Sequence, residues 1–286
     1  MRVLVTGGGG QLGAELPAAF AGHEVVAPSS ASLDVRDRDS VLQCITTVQP
    51  DAVVHGAAYT DVDGCELDPD RAYQVNALGT RHVAEGARLV GAPVCYISTD
   101  YVFAGDAARP YTEWDITGPL SMYGRSKLGG ERELDPGSTV VRTSWVCGRV
   151  GRNFVKTILR AAVAAGPGGL TVVDDQHGCP TFADDLAATV ALLVVGRRPG
   201  TFHVTNQGVT TWFGFARDIV TAAGLDPELV RPIPTSQLHP PRPAPRPSWS
   251  VLDNAALRLS GLALLPDYHE PLDRLVKVLV DELTNP

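Results

Sequence analysis

Residues 2–16, RVLVTGGGGQLGAEL, constrain this chain more than any other stretch. They join a short apolar run to four consecutive glycines and then to what reads as a helix start. Glycine loses more backbone freedom on folding than any other residue, so four in a row need a use. A plain turn is one such use. The other is a phosphate cradle, in which the absent side chains let backbone N–H groups approach a pyrophosphate at a helix N-terminus. The spacing is Gly7-x-x-Gly10-x-x-Gly13, and its place between a first strand and a first helix favours the cradle. Gly7 then supplies the tight turn, Gly10 the close backbone approach and Gly13 the helix–strand packing. Gln11 and Leu12 complete the dinucleotide-binding junction.

The chain repeats this alternation. RVLVT, HEVVAPS, DAVVHGAA and PVCYIST read as strands, separated by helices over about 11–20, 37–48 and 69–90. Val-rich runs alternating with helical segments imply βαβ units, hence an α/β protein with a Rossmann-type, doubly wound parallel sheet. A further helix carries SMYGRSKLGGERELD, followed by a strand STVVRTSWV, a helix at 154–165, a strand LTVVDD, a helix from Asp184 and the strand GTFHVTN. The expected division is a dinucleotide-binding domain over 1–148 and a smaller, mainly substrate-binding domain over 149–286. Segments near 171–200 are expected to return to the first domain. The stretch RPIPTSQLHPPRPAPRPSWS is either a polyproline linker or part of a folded cap, and the apolar residues after it favour the cap.

Composition narrows the function classes. The net charge of −8 over 286 residues argues against a nucleic-acid partner, which needs a basic face. The five cysteines are scattered with no C-x-x-C pair, so neither a disulfide framework nor a zinc site is expected, and a reducing cytoplasm fits. No basic and apolar leader opens the sequence. The longest apolar run, 186–195, is too short to span a bilayer, so no membrane partner is expected.

Three elements carry chemistry. The second strand of an NAD-type fold usually ends in an acid that holds the ribose 2′-hydroxyl. Here Ser29 and Ser30 stand in that place, which tolerates a 2′-phosphate and favours NADPH while leaving NADH open; Asp34 and Val35 would lie beside the adenine. Tyr123 and Lys127 stand four apart, on one face of a helix. An ammonium and a positive nicotinamide near a phenol favour its ionised form, drawing its pKa down from about 10 and making it a general acid or base. Finally, YISTDYVF ends a strand in Ser98-Thr99-Asp100-Tyr101, and ligands of open α/β sheets bind at strand C-termini. His55, in an apolar strand, reads as a core histidine, and none of the seven histidines has metal spacing.

Taken together, TGGGGQLG, HGAAYTDVDGCE, VNALGT, STDYVF, YTEWDITGPLSMYGRSKLGGE, VRTSWVCG, DQHGCPT and RPSWSVLDN resemble the extended short-chain dehydrogenases/reductases, and among them the dTDP-4-dehydrorhamnose reductase family, over nearly the whole chain. The resemblance implies NAD(P)H-dependent reduction of the 4-keto group of dTDP-4-dehydro-6-deoxy-L-mannose to dTDP-L-rhamnose. It implies that Tyr123 is the proton donor, that Lys127 binds the nicotinamide ribose and lowers the tyrosine pKa, and that Thr99 hydrogen-bonds the carbonyl. Ala57, Ala58 and Tyr59 pass beside the cofactor, Asp100, Tyr101 and Trp145 line the sugar pocket, and Arg246 faces the nucleotide-sugar. Tyr101 fills the place where a 4,6-dehydratase carries glutamate, which argues against a dehydratase. Cys147 stands where relatives often carry tyrosine. Glu15 matches one of the glutamates linked in some relatives to magnesium at a dimer contact, but the rest of the set is not found, so magnesium is unsupported. A homodimer is left open. Alternatives that share these motifs are a reductase or epimerase on another nucleotide sugar, and a silent regulatory subunit.

Overall fold

The computed structural model describes residues 1–164 and 169–284. Through the first half the elements are β1 (Arg2–Thr6), α1 (Gln11–Ala19), β2 (Glu24–Val26), α2 (Arg38–Val48), β3 (Ala52–His55), α3 (Val62–Leu67), α4 (Pro69–Tyr73), α5 (Gly79–Val90), β4 (Val94–Thr99), α6 (Met122–Glu131) and β5 (Thr139–Thr143). The second half has β6 (Val146–Cys147), α7 (Phe154–Ala164), β7 (Leu170–Val173), β8 (His177–Gly178), β9 (Thr181–Phe182), α8 (Ala183–Val195), β10 (Gly200–His203), β11 (Thr210–Thr211), α9 (Trp212–Ala222), β12 (Val230–Ile233), α10 (Ala255–Leu259) and α11 (His269–Thr284). Ala165, the expected end of α7, lies outside the described residues. Among the described residues, no helix is long and apolar enough to cross a membrane.

Six strands form one parallel sheet in the order β2-β1-β3-β4-β5-β10. The order reverses between β1 and β3, and such a switch point opens a crevice at the strand C-termini. Both faces are covered, which is why these strands read as continuous apolar runs rather than alternating ones. On one face Leu12, Leu16 and Phe20 of the first helical segment meet Leu186, Val190 and Leu193 of α8; on the other Val41 and Ile45 of α2 meet Val83 and Ala87 of α5. Each such buried Val, Leu, Ile or Phe side chain contributes about 1.5–3 kcal/mol.

The helix expected over 69–90 is interrupted, because residues Gln74–Leu78 form a π turn between α4 and α5. The expected strand STVVRTSWV ends early. Trp145 adopts a left-handed backbone at φ 47°, so β5 stops at Thr143, and Val146–Cys147 pairs instead with β9. Whereas α8 packs on α1 and β10 closes the sheet beside β5, β7, which the sequence also sends towards this sheet, pairs with β12. A second core gathers around Val155, Ile158, Phe182, Phe215, Ile219, Leu272 and Val276.

Candidate active site

At the mouth of β1 the glycines are required by close approach as well as by conformation. Gly7 has φ +77°, and a Cβ there would sit 2.8 Å from the Ala57 backbone nitrogen. A Cβ on Gly13 would lie 2.3 Å from the Gly7 carbonyl oxygen, and one on Gly10 3.3 Å from the same atom. Gly8, which sequence reasoning passed over, is as confined, with the Ala27 carbonyl oxygen 2.3 Å from its Cβ position. The loop is thus folded tightly between β2 and β3, with α1 opening at Gln11 and no side-chain cap on its first amides. Backbone N–H groups left this way are suited to a phosphate. The side chain of Gln11 is engaged elsewhere: its Oε1 accepts from Gly148 N and Asn153 Nδ2, each at 2.9 Å. Gln11 therefore ties the loop to the second half, and only its backbone is left for a cofactor. Leu12 is core.

Ser29 lies over this loop, its Cβ 3.7 Å from the Cβ position of Gly9, and its hydroxyl is 3.3 Å from that of Ser32. Asp34 is forked by Arg36 at 2.6–3.0 Å, which holds its carboxyl below the usual range, and Val35 is buried. Behind them Ala57 N donates to the Thr6 hydroxyl at 3.4 Å. His55 is fully buried, with Nδ1 2.6 Å from the Thr6 hydroxyl and Nε2 3.1 Å from that of Thr80. The Thr80 proton goes to Asn76 O, so His55 donates from Nε2 and accepts at Nδ1. Burial pushes it down to about 3, so it is a neutral core histidine. Asn76, another residue sequence reasoning missed, sits in the π turn and clamps Tyr59 by accepting from its N and donating to its O, at 2.8 and 3.1 Å. The same amide donates to Ser126 of α6 at 2.9 Å, which joins the Ala57–Tyr59 segment to the helix of Tyr123. VNALGT held that signal.

Thr99 ends β4 beside Thr143 of β5 and donates to Asp100 Oδ1 at 2.9 Å. The other Asp100 oxygen is buried without a well-formed hydrogen bond. Burial raises the Asp100 carboxyl to about 6, with Ser250 and Thr99 hydroxyls offsetting part of the effect. Tyr101 meets Tyr123 edge to face at 5.8 Å between centroids. Ser121 caps α6, whose first turn carries Tyr123 and whose second carries Lys127. The Lys127 ammonium donates to Ile97 O at 2.6 Å and lies 4.0 Å over the Tyr96 ring. Burial draws Lys127 down to about 7, opposed by Glu131.

The expected lowering of Tyr123 is not produced by the protein's own groups. Burial raises the phenol, the Thr99 hydroxyl acts against that, and the Asp100 charge adds to the rise. The reason is burial, which outweighs the Thr99 hydrogen bond, while the Lys127 ammonium lies against Ile97 O and the Tyr96 ring. Glu131 follows Tyr123 and Lys127 at the same four-residue spacing, which was the sequence signal for it. It forks the buried Arg142 at 2.9 and 2.7 Å and accepts from Ser98 at 2.6 Å, locking α6 to β4 and β5.

Trp145 stacks on Trp212 at 3.6 Å and packs against Gly178, whose Cβ position is 2.6 Å from the indole; it is anchored in the second aromatic core. Arg246, expected to face the nucleotide-sugar, forks the Asp63 carboxylate at 2.6 and 2.9 Å. Cys147 and Cys179 are buried, with thiols pushed up to about 12 and about 11 by burial, as suits small apolar fillers. Glu15 lines a small cavity with Asp184 and Arg274. Among the described residues no group of three or more His, Cys, Asp or Glu is arranged to hold a metal.

Comparison with known proteins agrees with this geometry. The family model described as RmlD substrate binding domain matches residues 1–280. The chain is 43% identical to the dTDP-4-dehydrorhamnose reductase of Mycolicibacterium smegmatis, covering 99% of this chain and 88% of that protein. A Clostridium acetobutylicum structure described as a dTDP-4-dehydrorhamnose reductase superposes with a TM-score of 0.92 at 38% identity, over 98% of this chain and 100% of the other. The Bacillus anthracis dTDP-4-dehydrorhamnose reductase, solved in complex with NADP, gives 0.90 at 37%, over 96% and 98%. The chain belongs to the RmlD substrate binding domain family, the family of the dTDP-4-dehydrorhamnose reductases.

Proposed function

We propose that this protein reduces the 4-keto group of dTDP-4-dehydro-6-deoxy-L-mannose to give dTDP-L-rhamnose, using NADPH or NADH. One observation carries the reading: Thr99, Tyr123 and Lys127 converge at the sheet's C-terminal edge, on the side where the glycine junction opens. The residues fit a dinucleotide, because a Cβ at Gly7, Gly8 or Gly13 would fill the cradle. Gly7, Gly10 and Gly13, with the backbone of Gln11 and Leu12, would hold its pyrophosphate; Ser29, Asp34 and Val35 its adenosine end; Ala57, Ala58 and Tyr59 its flank. Ser29, in place of an acid, favours the 2′-phosphate form. When bound, the cofactor supplies the hydride.

The chain's own residues supply the rest. The Tyr123 phenol gives its proton to the carbonyl oxygen as the carbon is reduced. A phenol with the ordinary pKa of about 10 is protonated at neutral pH, as a proton donor requires, and burial moves Tyr123 further in that direction. Thr99 would orient the carbonyl oxygen beside that phenol by turning its hydroxyl proton from Asp100 Oδ1 to the substrate, and Lys127, fixed by Ile97 and Tyr96, is placed to meet the nicotinamide ribose. Asp100, Tyr101, Trp145 and the segment bearing Arg246 form the sugar-nucleotide side. The elements after β5, apart from α8 and β10, make up most of the substrate-binding part. Five unpaired thiols support a reducing, cytoplasmic setting. The test is to follow NADPH absorbance with a panel of 4-keto nucleotide sugars. Consumption with the dTDP-6-deoxy sugar supports the reading. Tightly held NAD without net consumption favours an epimerase and refutes it.

A further inference from the structure

Residues 239–249, HPPRPAPRPSW, contain five prolines. Proline has no N–H, so the segment cannot be knitted into a sheet and must be held from outside. Its two ends are held differently. Near Ser248 and Trp249, Trp249 N and the Ser248 hydroxyl donate to Gly105 O at 3.2 and 3.0 Å, and the Trp249 indole donates to Arg109 O at 2.9 Å. Pro247 lies so close that a Cβ on Gly105 would be 2.3 Å from it. The other half depends on one side chain. Among the described residues, every hydrogen bond that leaves 242–246 ends on Asp63: two from the Arg246 fork, one from Arg242 Nη1 at 3.1 Å and one from Ala244 N at 3.2 Å. Burial opposes ionisation of Asp63, yet the Arg246 and Ala244 bonds hold its carboxyl below the usual range.

Asp63 stands in α3, and α3 touches Tyr59, the start of α6 and the strap. Gly64 lies under the Tyr59 phenol, and Glu66 accepts from Met122 N at 2.9 Å, at the start of the helix that carries Tyr123. The Arg246 charge in turn reaches Tyr101, which packs on Tyr123. The fork is shielded, with side-chain exposures of 15% for Arg246 and 20% for Asp63, while Arg242 is 59% exposed and keeps donors turned to solvent. A forked, partly buried pair fixes geometry in a way that a surface pair does not.

We propose that Asp63 is a positioning residue for the sugar-nucleotide side of the reaction. It clasps the proline strap through Arg246, Arg242 and the Ala244 N–H, and so sets the strap beside Tyr101. Arg246 acts through that clasp. The proposal rests on the reductase reading.

The test compares Asp63→Ala, Arg246→Ala and the charge swap Asp63→Arg with Arg246→Asp. Each single variant should raise KM for the dTDP-4-keto sugar about tenfold or more, with kcat within about threefold and NADPH Kd within about twofold. The swap restores only the pair between 63 and 246, since an arginine at 63 cannot accept from Ala244 N or Arg242, so it should recover part of the lost KM. Amide exchange over 242–249, measured without substrate, should speed up in both single variants and slow again in the swap. A fall in melting temperature with KM unmoved would make Asp63 merely structural and overturn the proposal. So would a swap with slow exchange and no KM recovery, which would make Arg246 a direct ligand. If the wild-type protein does not turn over the dTDP-sugar, the reductase reading falls, while unchanged strap exchange in Asp63→Ala independently refutes the clasp.

Discussion

Replacing Asp100 by Asn should make the protein more stable and less active. The carboxyl is 2% exposed and raised from 3.8 to about 6, chiefly by burial. A carboxyl that binds its proton more tightly folded than unfolded makes the charged folded state costly. The cost is absent well below the unfolded pKa, grows as pH rises between the two values, and is complete above the folded one. Roughly two pH units correspond to about 3 kcal/mol at full ionisation. Asparagine keeps an oxygen to accept the Thr99 hydroxyl and carries no charge. The advantage of Asp100→Asn should therefore be about half developed near pH 5 and nearly complete near pH 8, widening by roughly 1.4 kcal/mol. Urea denaturation of both proteins across that range, without ligands, measures it directly, because other titrating groups cancel in the difference. Over the same substitution kcat/KM should fall about tenfold or more, since Asp100 is assigned to the sugar. A difference in stability that is flat with pH, or one that favours the wild type at high pH, would mean that the Asp100 charge does not oppose folding.

Three other substitutions probe separate parts of the site. Tyr123→Phe should keep NADPH affinity and lose about two to four orders of magnitude in turnover, checked by equilibrium titration and initial rates; a rate near wild type removes the proton-donor assignment. Ser29→Asp should shift preference from NADPH towards NADH in paired kcat/KM measurements, since a carboxylate opposes the 2′-phosphate and accepts from the 2′-hydroxyl. Gly8→Ala places a Cβ 2.3 Å from the Ala27 carbonyl and should cost about 1–3 kcal/mol of stability by denaturation, along with weaker NADPH binding.

The alternation of Val-rich runs with helical segments made the parallel sheet legible, because strands buried on both faces advertise themselves as unbroken apolar stretches. The glycine spacing and Tyr123-x-x-x-Lys127 were legible for a related reason: local geometry alone sets them. What was hidden depends on distant partners. Nothing around Trp145 announces that its backbone turns left-handed and ends β5, and nothing in LTVVDD says that its partner is β12 rather than a strand of the main sheet. Gln11 and Arg246 look like ligand-facing residues in one dimension. In three, one is bound by Gly148 and Asn153 and the other by Asp63. The pKa of Tyr123 is of the same kind, since the spacing to Lys127 is local but the burial that raises the phenol comes from the tertiary fold.

The central claim is that a hydride passes from a nicotinamide to C4 of the sugar while Tyr123 protonates its oxygen. The most direct measurement uses NADPH carrying deuterium at the transferable position of the nicotinamide, with dTDP-4-dehydro-6-deoxy-L-mannose as substrate and NMR of the product. One deuterium at C4 of dTDP-L-rhamnose, with one NADPH consumed per sugar, is the predicted result. Product without deuterium, or deuterium retained on a cofactor that is never consumed, would contradict it.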